Sequence, residues 1–250
     1  MKIKTKLITF TASATLLALS LPAQAAFSWT FDSSPTNTGT PSGTAITATA
    51  SAWATQGNSG DSQLESATLN QFNGGLGVSP AGSSEGSPQH AIDNYGPDES
   101  VLFSFSQSIA LTNVVMGYVS GDADFSLLAY TGAGMPTSLG GKKYSELLTP
   151  AGGWEDVGQS SYDGGYVNGS GWTANVNTGM LSSRYWLVAA ANSALGWDYS
   201  TTYNDHFKLK KLFGKTVTPP PTGVPSPSTL PLLAISLLGL GFVSRRRKQT

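Results

Sequence analysis

The feature that most constrains this chain is a two-residue apolar period that recurs along its central region and is almost nowhere replaced by a helical one. Phe27-Ser28-Trp29-Thr30-Phe31 alternates cleanly, and Val101-Leu102-Phe103-Ser104-Phe105 puts Val101, Phe103 and Phe105 on one side of an extended backbone. Leu111 to Val119 and Phe125 to Tyr130 follow at spacings typical of antiparallel strands. Arg184-Tyr185-Trp186-Leu187-Val188-Ala189-Ala190 is apolar on both faces and reads as a central strand. Phe207 to Phe213 alternates at first and then slips by one, as at a bulge. The tract from Ser33 to Ala52 is almost uncharged and reads as a loop or a weak edge strand, and Lys142 to Leu148 offers a single short amphipathic helix. Charged residues make up 12% of the chain, and 29 Gly and 14 Pro punctuate it, a composition of short strands and turns. The expected fold is all-β: a single antiparallel β-sandwich, jelly-roll-like, over residues 26–216.

Charge is segregated. Lys2, Lys4 and Lys6 sit at one end and Arg245, Arg246, Arg247 and Lys248 at the other, with no acid in either end, although the formal net charge of the whole is -1. The middle is therefore acidic, and from Ala26 to Gly141 it has no Lys or Arg. That is the wrong sign for a nucleic-acid binder. The chain has no cysteine, which excludes a disulfide framework, a thiolate metal site, a Cys nucleophile and a lipid-modified N-terminal Cys.

Residues 1–25 have the order of a secretory signal: the three lysines, an apolar stretch from Leu7 to Leu21, then Pro22 and the small-x-small triplet Ala23-Gln24-Ala25. Cleavage after Ala25 would leave Ala26 first. The secretion translocon is the partner this segment implies. At the other end, residues 217–223 form a Pro-rich linker. Val224-Pro225-Ser226-Pro227-Ser228-Thr229-Leu230 comes next, then an apolar stretch to Val243, and then the basic stop Arg245-Arg246-Arg247-Lys248. The apolar stretch is a transmembrane-helix candidate of marginal length. Under the positive-inside rule the basic cluster stays inside and the proline motif lies at the outer face of the inner membrane.

This tail resembles the PEP-CTERM sorting signal, the substrate of exosortases in Gram-negative bacteria that make extracellular polysaccharide. Members usually show Val-Pro-Glu-Pro before Ser-Thr-Leu; here Ser226 replaces the Glu while Val224, Pro225, Pro227, Ser228, Thr229 and Leu230 match. The resemblance implies that residues 224–250 direct a membrane-inserted precursor to exosortase, around Val224, Pro225, Ser226 and Pro227 with Arg245, Arg246 and Arg247 as the stop. The mature protein would then reside at the cell surface or in the extracellular matrix. Four phrases of the middle also resemble a narrower family of exosortase-dependent surface proteins: Val101 to Phe105, Ser126 to Gly132, Tyr185 to Val188 and Asp205 to Leu209. They are mostly strand residues and imply shared architecture; the resemblance brings no catalytic residues, because none is established for that family.

Chemistry-bearing patterns are few. With His90 and His206 as the sole histidines, any Ser-His-Asp device must use one of them. Gly82-Ser83-Ser84-Glu85-Gly86 lacks the strand and helix of a nucleophile elbow, and Gly60-Asp61-Ser62-Gln63 has no Asp-x-x-His downstream. The expectation is a protein that is not an enzyme. Asp93, Asn94, Asp98 and Glu99 gather oxygen ligands just before a strand and are the residues that would hold a structural Ca²⁺, the one cofactor considered, with Asp122 and Asp124 as a second acidic turn. Trp154, Trp172, Trp197, Tyr162, Tyr166 and Tyr199 lie in Gly-rich stretches near carboxylates. Such rings either cover the ends of the core or form a carbohydrate site for the extracellular polysaccharide. The reading is thus of a structural or adhesive surface protein, with a carbohydrate-binding module delivered by the same route as the alternative.

Overall fold

The computed structural model describes residues 26–31, 38–39, 46–58, 61–82, 90–136, 138–197 and 205–217. The signal residues Ala23 and Ala25, the sorting residues Val224 to Pro227, the basic stop Arg245 to Arg247 and the apolar stretch before it lie outside them. Among the described residues no helix is long and apolar enough to cross a membrane.

The strands are β1 (Ala26–Thr30), β2 (Thr38–Gly39), β3 (Ile46–Thr55), β4 (Leu64–Phe72), β5 (Gly75–Ser79), β6 (Ile92–Asp93), β7 (Glu99–Val119), β8 (Phe125–Tyr130), β9 (Trp154–Ser160), β10 (Val167–Asn175), β11 (Ser183–Ala190) and β12 (His206–Lys215). One helical turn, α1 (Tyr144–Leu147), and a 3₁₀ turn, Ser193–Leu195, complete the described elements. The protein is all-β, as its alternation requires. The amphipathic stretch at Lys142 to Leu148 yields that single turn, which buries Tyr144 and Leu147.

The two stacked sheets of the expected sandwich are replaced by one sheet that closes into a barrel. The cause is β7. At 21 residues it extends about 70 Å at the usual rise per residue, long enough to serve both halves. Its first half pairs with β3 and β11, its second half with β12 and β10. The ring runs β12-β5-β4-β3-β7 and back to β12. The sequence separates Val101–Phe105 from Leu111–Val119 because Ser106, Gln107 and Ser108 between them are exposed, but the backbone stays extended through them.

Alternation decides what each strand buries. β11 lies between β7 and β8, and its apolar residues divide by parity. Trp186, Val188 and Ala190 enter the main core with Trp29, Phe103, Phe105, Phe125 and Phe207. Tyr185, Leu187 and Ala189 join a second cluster with Leu64, Leu128, Tyr144, Leu147 and Trp154. The second cluster explains why α1 exists: it roofs a sheet face that would otherwise be wet. The buried indoles keep their hydrogen bonds, Trp29 Nε1 donating to Ile46 O at 2.8 Å and Trp186 Nε1 to Ser183 O at 3.0 Å.

The slip expected in Phe207–Phe213 is present: pairing with β7 shifts between Leu209 and Lys211. Leu209 and Leu212 remain buried, and Lys210 and Lys211 both stay outside. In the tract from Ser33 to Ala52 the second part belongs to β3, which pairs with β7 over Ala48–Ala54 and with β4 only over Ala52–Thr55, so Ala48–Ser51 have one strand partner, as in an edge strand.

Candidate functional site

Four segments distant in sequence meet where β8 begins. They are the turn at Ser120 to Asp124, the loop after β6 at Asn94, the β9–β10 loop at Tyr162 and Asp163, and Asp205 just before β12. Backbone bonds fix the meeting. His206 N donates to Asp122 O at 3.2 Å, Ala123 N to Tyr162 O at 3.1 Å and Ala191 N to Asp124 O at 3.0 Å. Gly121, at φ 91, supplies the left-handed step that lets the chain reverse between Ser120 and Asp122.

On this frame the oxygens of Asp122, Asp124 and Asp163 lie within 4.8 Å of one another, Asp124 buried, Asp122 half-buried and Asp163 exposed. That is about twice the 2.3–2.6 Å ligand distance of Ca²⁺, so the three oxygens could share one such ion. Beneath them Asp205 is fully buried. Its carboxylate accepts from Asp124 N at 2.6 Å and Asn94 Nδ2 at 2.6 Å, while its own N–H donates to Asn94 Oδ1 at 3.0 Å.

Burial, with the neighbouring Asp122 carboxylate, pushes Asp205 up to about 9. Asp124 is also raised, by burial first and by the charges of Asp122 and Asp163, against hydrogen bonds from Ser161 and from Tyr162 N. Asp122 Oδ1 is buried with no hydrogen-bond partner among the described residues, and the Asp122 side chain is placed to hydrogen-bond the protonated form of Asp205.

The residues singled out from sequence fall differently. Asp93, Asn94, Asp98 and Glu99 lie along β6, its loop and the start of β7, where hydrogen bonds tie them to neighbouring chain segments. Asp93 Oδ1 accepts from Tyr95 N at 3.1 Å, Glu99 Oε2 accepts from Asp93 N at 3.0 Å, and Asp98 N donates to Thr55 Oγ1 at 2.8 Å. Asn94 reaches the acidic meeting point through Asp205. Among the described residues, the one group of three carboxylates close enough to share a metal ion is Asp122, Asp124 and Asp163.

Among the aromatics, Trp154 is buried in the second core cluster, and Trp172 and Tyr162, their ring centroids 4.8 Å apart, are partly buried against the main core. Trp197 is partly buried and donates to Ser126 Oγ at 2.9 Å, Tyr166 is 66% exposed, and Tyr199 lies outside the described residues. Asp61 pairs with Lys143 at 3.7 Å on the surface.

One pairing was not legible in the sequence. Ser79 Oγ and His90 Nδ1 are hydrogen-bonded, Asn70 Nδ2 donates to the same Oγ at 2.8 Å, and the imidazole stacks on Phe72 at 5.6 Å. Ser79 belongs to no serine motif; its place opposite Thr68 in the β4–β5 hairpin was the available signal. What the fold and site define is a closed all-β barrel with a buried acidic centre at one rim. Compared with known proteins, the chain matches no family model and no curated sequence.

Proposed function

We propose that this is an exported surface or matrix protein with no enzymatic role, cleaved after Ala25, membrane-inserted as a precursor and trimmed by exosortase near Val224 to Pro227. The barrel is its cargo. The observation that carries the reading is the tail, a proline motif, an apolar stretch and a basic stop in fixed order. The geometry supports it at one point. Ala26 of β1 pairs with Lys215 at the end of β12. The points where a leader and a tail attach are therefore neighbours at one edge of the barrel, so both segments could insert in one membrane without spanning the domain.

Intact-protein mass spectrometry of the surface fraction, with and without the host exosortase, tests the proposal. The expected mature chain starts at Ala26 and ends near Ser228 only when the enzyme is present. A full tail in both strains overturns it.

The Ser79–His90 pair is the place where a catalytic role would surface. Each side chain has a packing use there: the stacked ring covers Phe72, and the serine oxygen joins β5 to Asn70 of β4. Esterase and glycosidase screens of the whole chain are expected to be blank. Activity abolished by S79A and by H90A, with melting unchanged, would reverse the assignment of class.

A further inference from the structure

The acidic middle has one cationic face. Residues 26–217 hold seven basic against fifteen acidic side chains, and four of the seven, Lys208, Lys210, Lys211 and Lys215, are on β12. Strict alternation would turn either Lys210 or Lys211 inward, where an ammonium group is costly to bury. The bulge between Leu209 and Lys211 removes that conflict and leaves all four lysines partly exposed on the outside of the barrel. From Lys208 to Lys215 the row extends about 23 Å. Lys210, Lys211 and Lys215 have no carboxylate partner among the described residues.

Aromatic rings accompany the row. Lys208 Nζ stands 3.7 Å from the Phe72 centroid and 5.4 Å from that of Tyr118. Tyr118 meets Tyr166 edge-on at 5.7 Å, and Tyr166 is held by Asn168 Nδ2, which donates to its hydroxyl at 3.1 Å. Lys210 Nζ donates to Gly169 O at 2.8 Å, which ties the row to the strand that carries Asn168. Lys211 Nζ lies 5.3 Å from the Phe213 ring. Spaced cations beside ring faces suit a ligand that has both regular negative charges and apolar CH faces.

We infer that the outer face of β12, with Tyr118 and Tyr166, binds an acidic polysaccharide, one carboxylated sugar after another along the lysine row. This rests on the exported, non-enzymatic reading above and names the ligand class of the delivered domain. Charge complementarity selects the occupant. A nucleic-acid duplex carries a charge about every 1.7 Å, far more densely than four lysines spread over the row can match. A polyuronate carries fewer charges per length and offers CH surfaces to the tyrosines.

The test uses the full chain in detergent with alginate as the polyuronate, dextran as the neutral glycan and single-stranded oligodeoxythymidylate as a polyanion without sugar-ring stacking. Alginate is expected to bind, less as NaCl rises, and dextran not to bind. K208Q/K210Q/K211Q/K215Q is expected to weaken alginate binding about ten-fold or more, with the four-arginine variant restoring it and circular dichroism melts unchanged. Y166A is expected to cost about three-fold without altering the salt dependence. Absence of alginate binding, a glutamine variant that binds like the parent, or oligonucleotide bound as tightly as alginate each overturns the inference. Tail trimming is scored by mass on the same strains. A chain that is trimmed but ignores alginate sinks this inference alone, and one that binds alginate but is never trimmed sinks the sorting reading alone.

Discussion

The melting temperature of the protein is expected to fall as the pH is raised from about 5 to about 9, the reverse of what paired carboxylates usually produce. Asp205 keeps its proton in the folded state up to about 9, whereas an unfolded aspartate loses it near 4. Between those values the folded state binds more protons than the unfolded one, so stability is present at low pH and is lost as pH climbs toward the folded pKa. Asp124, raised in the same direction by burial, contributes with the same sign. D205N removes the titration and should flatten the curve. Ca²⁺ added at high pH should restore several degrees if Asp122, Asp124 and Asp163 take the ion, because a ligand that binds only the native state stabilises it. Differential scanning calorimetry across that range reads all three effects. A melting temperature that climbs with pH would show that Asp205 is ionised in the fold.

G77A is expected to cost more than about 3 kcal/mol, beyond the usual range for one added methyl group. A Cβ at Gly77 would overlap the carbonyl oxygen of His90. That oxygen cannot withdraw easily, because His90 is held at φ 55, its ring is bonded to Ser79, and the next residue's carbonyl accepts from Val78 N at 3.2 Å. The added atom must therefore part β5 from the strand segment that crosses it. G179A is the control: nothing lies within 4 Å of its Cβ, and urea unfolding should show little change. Equal stability of the two variants would mean that the crossing at Gly77 is looser than described.

The aromatic and β-branched strands were legible because burial and alternation coincide in them. β1, the first half of β7 and the start of β12 place large side chains inside at every second position, β8 and β11 are continuous apolar runs buried on both faces, and the slip in β12 could be read from two adjacent lysines. β3 was not legible for the opposite reason. Its inward residues are Ile46, Ala48, Ala52 and Ala54, and alanine gives a weak hydropathy signal although it fills a buried strand position. The β4–β5 hairpin was signalled by Asn73-Gly74, the connection between Phe72 and Gly75, within a region too polar to stand out. Closure of the barrel left no local trace, since it depends on one strand being shared. The acidic centre was half legible: Asp122 and Asp124 share a turn, but Asp205 is 81 residues from Asp124, and the fold alone unites them.

β12 pairs with β1, β5, β6 and β7, so the last of the described strands to be synthesised completes four partnerships, including that of the first described one. A chain made from its N-terminus cannot seat Trp29 and Phe31 against β12 until residue 215 has emerged. Assembly is consequently late and dominated by contacts between residues far apart in the chain, which places the protein among slow folders. The ring shuts only when the last of its described strands arrives.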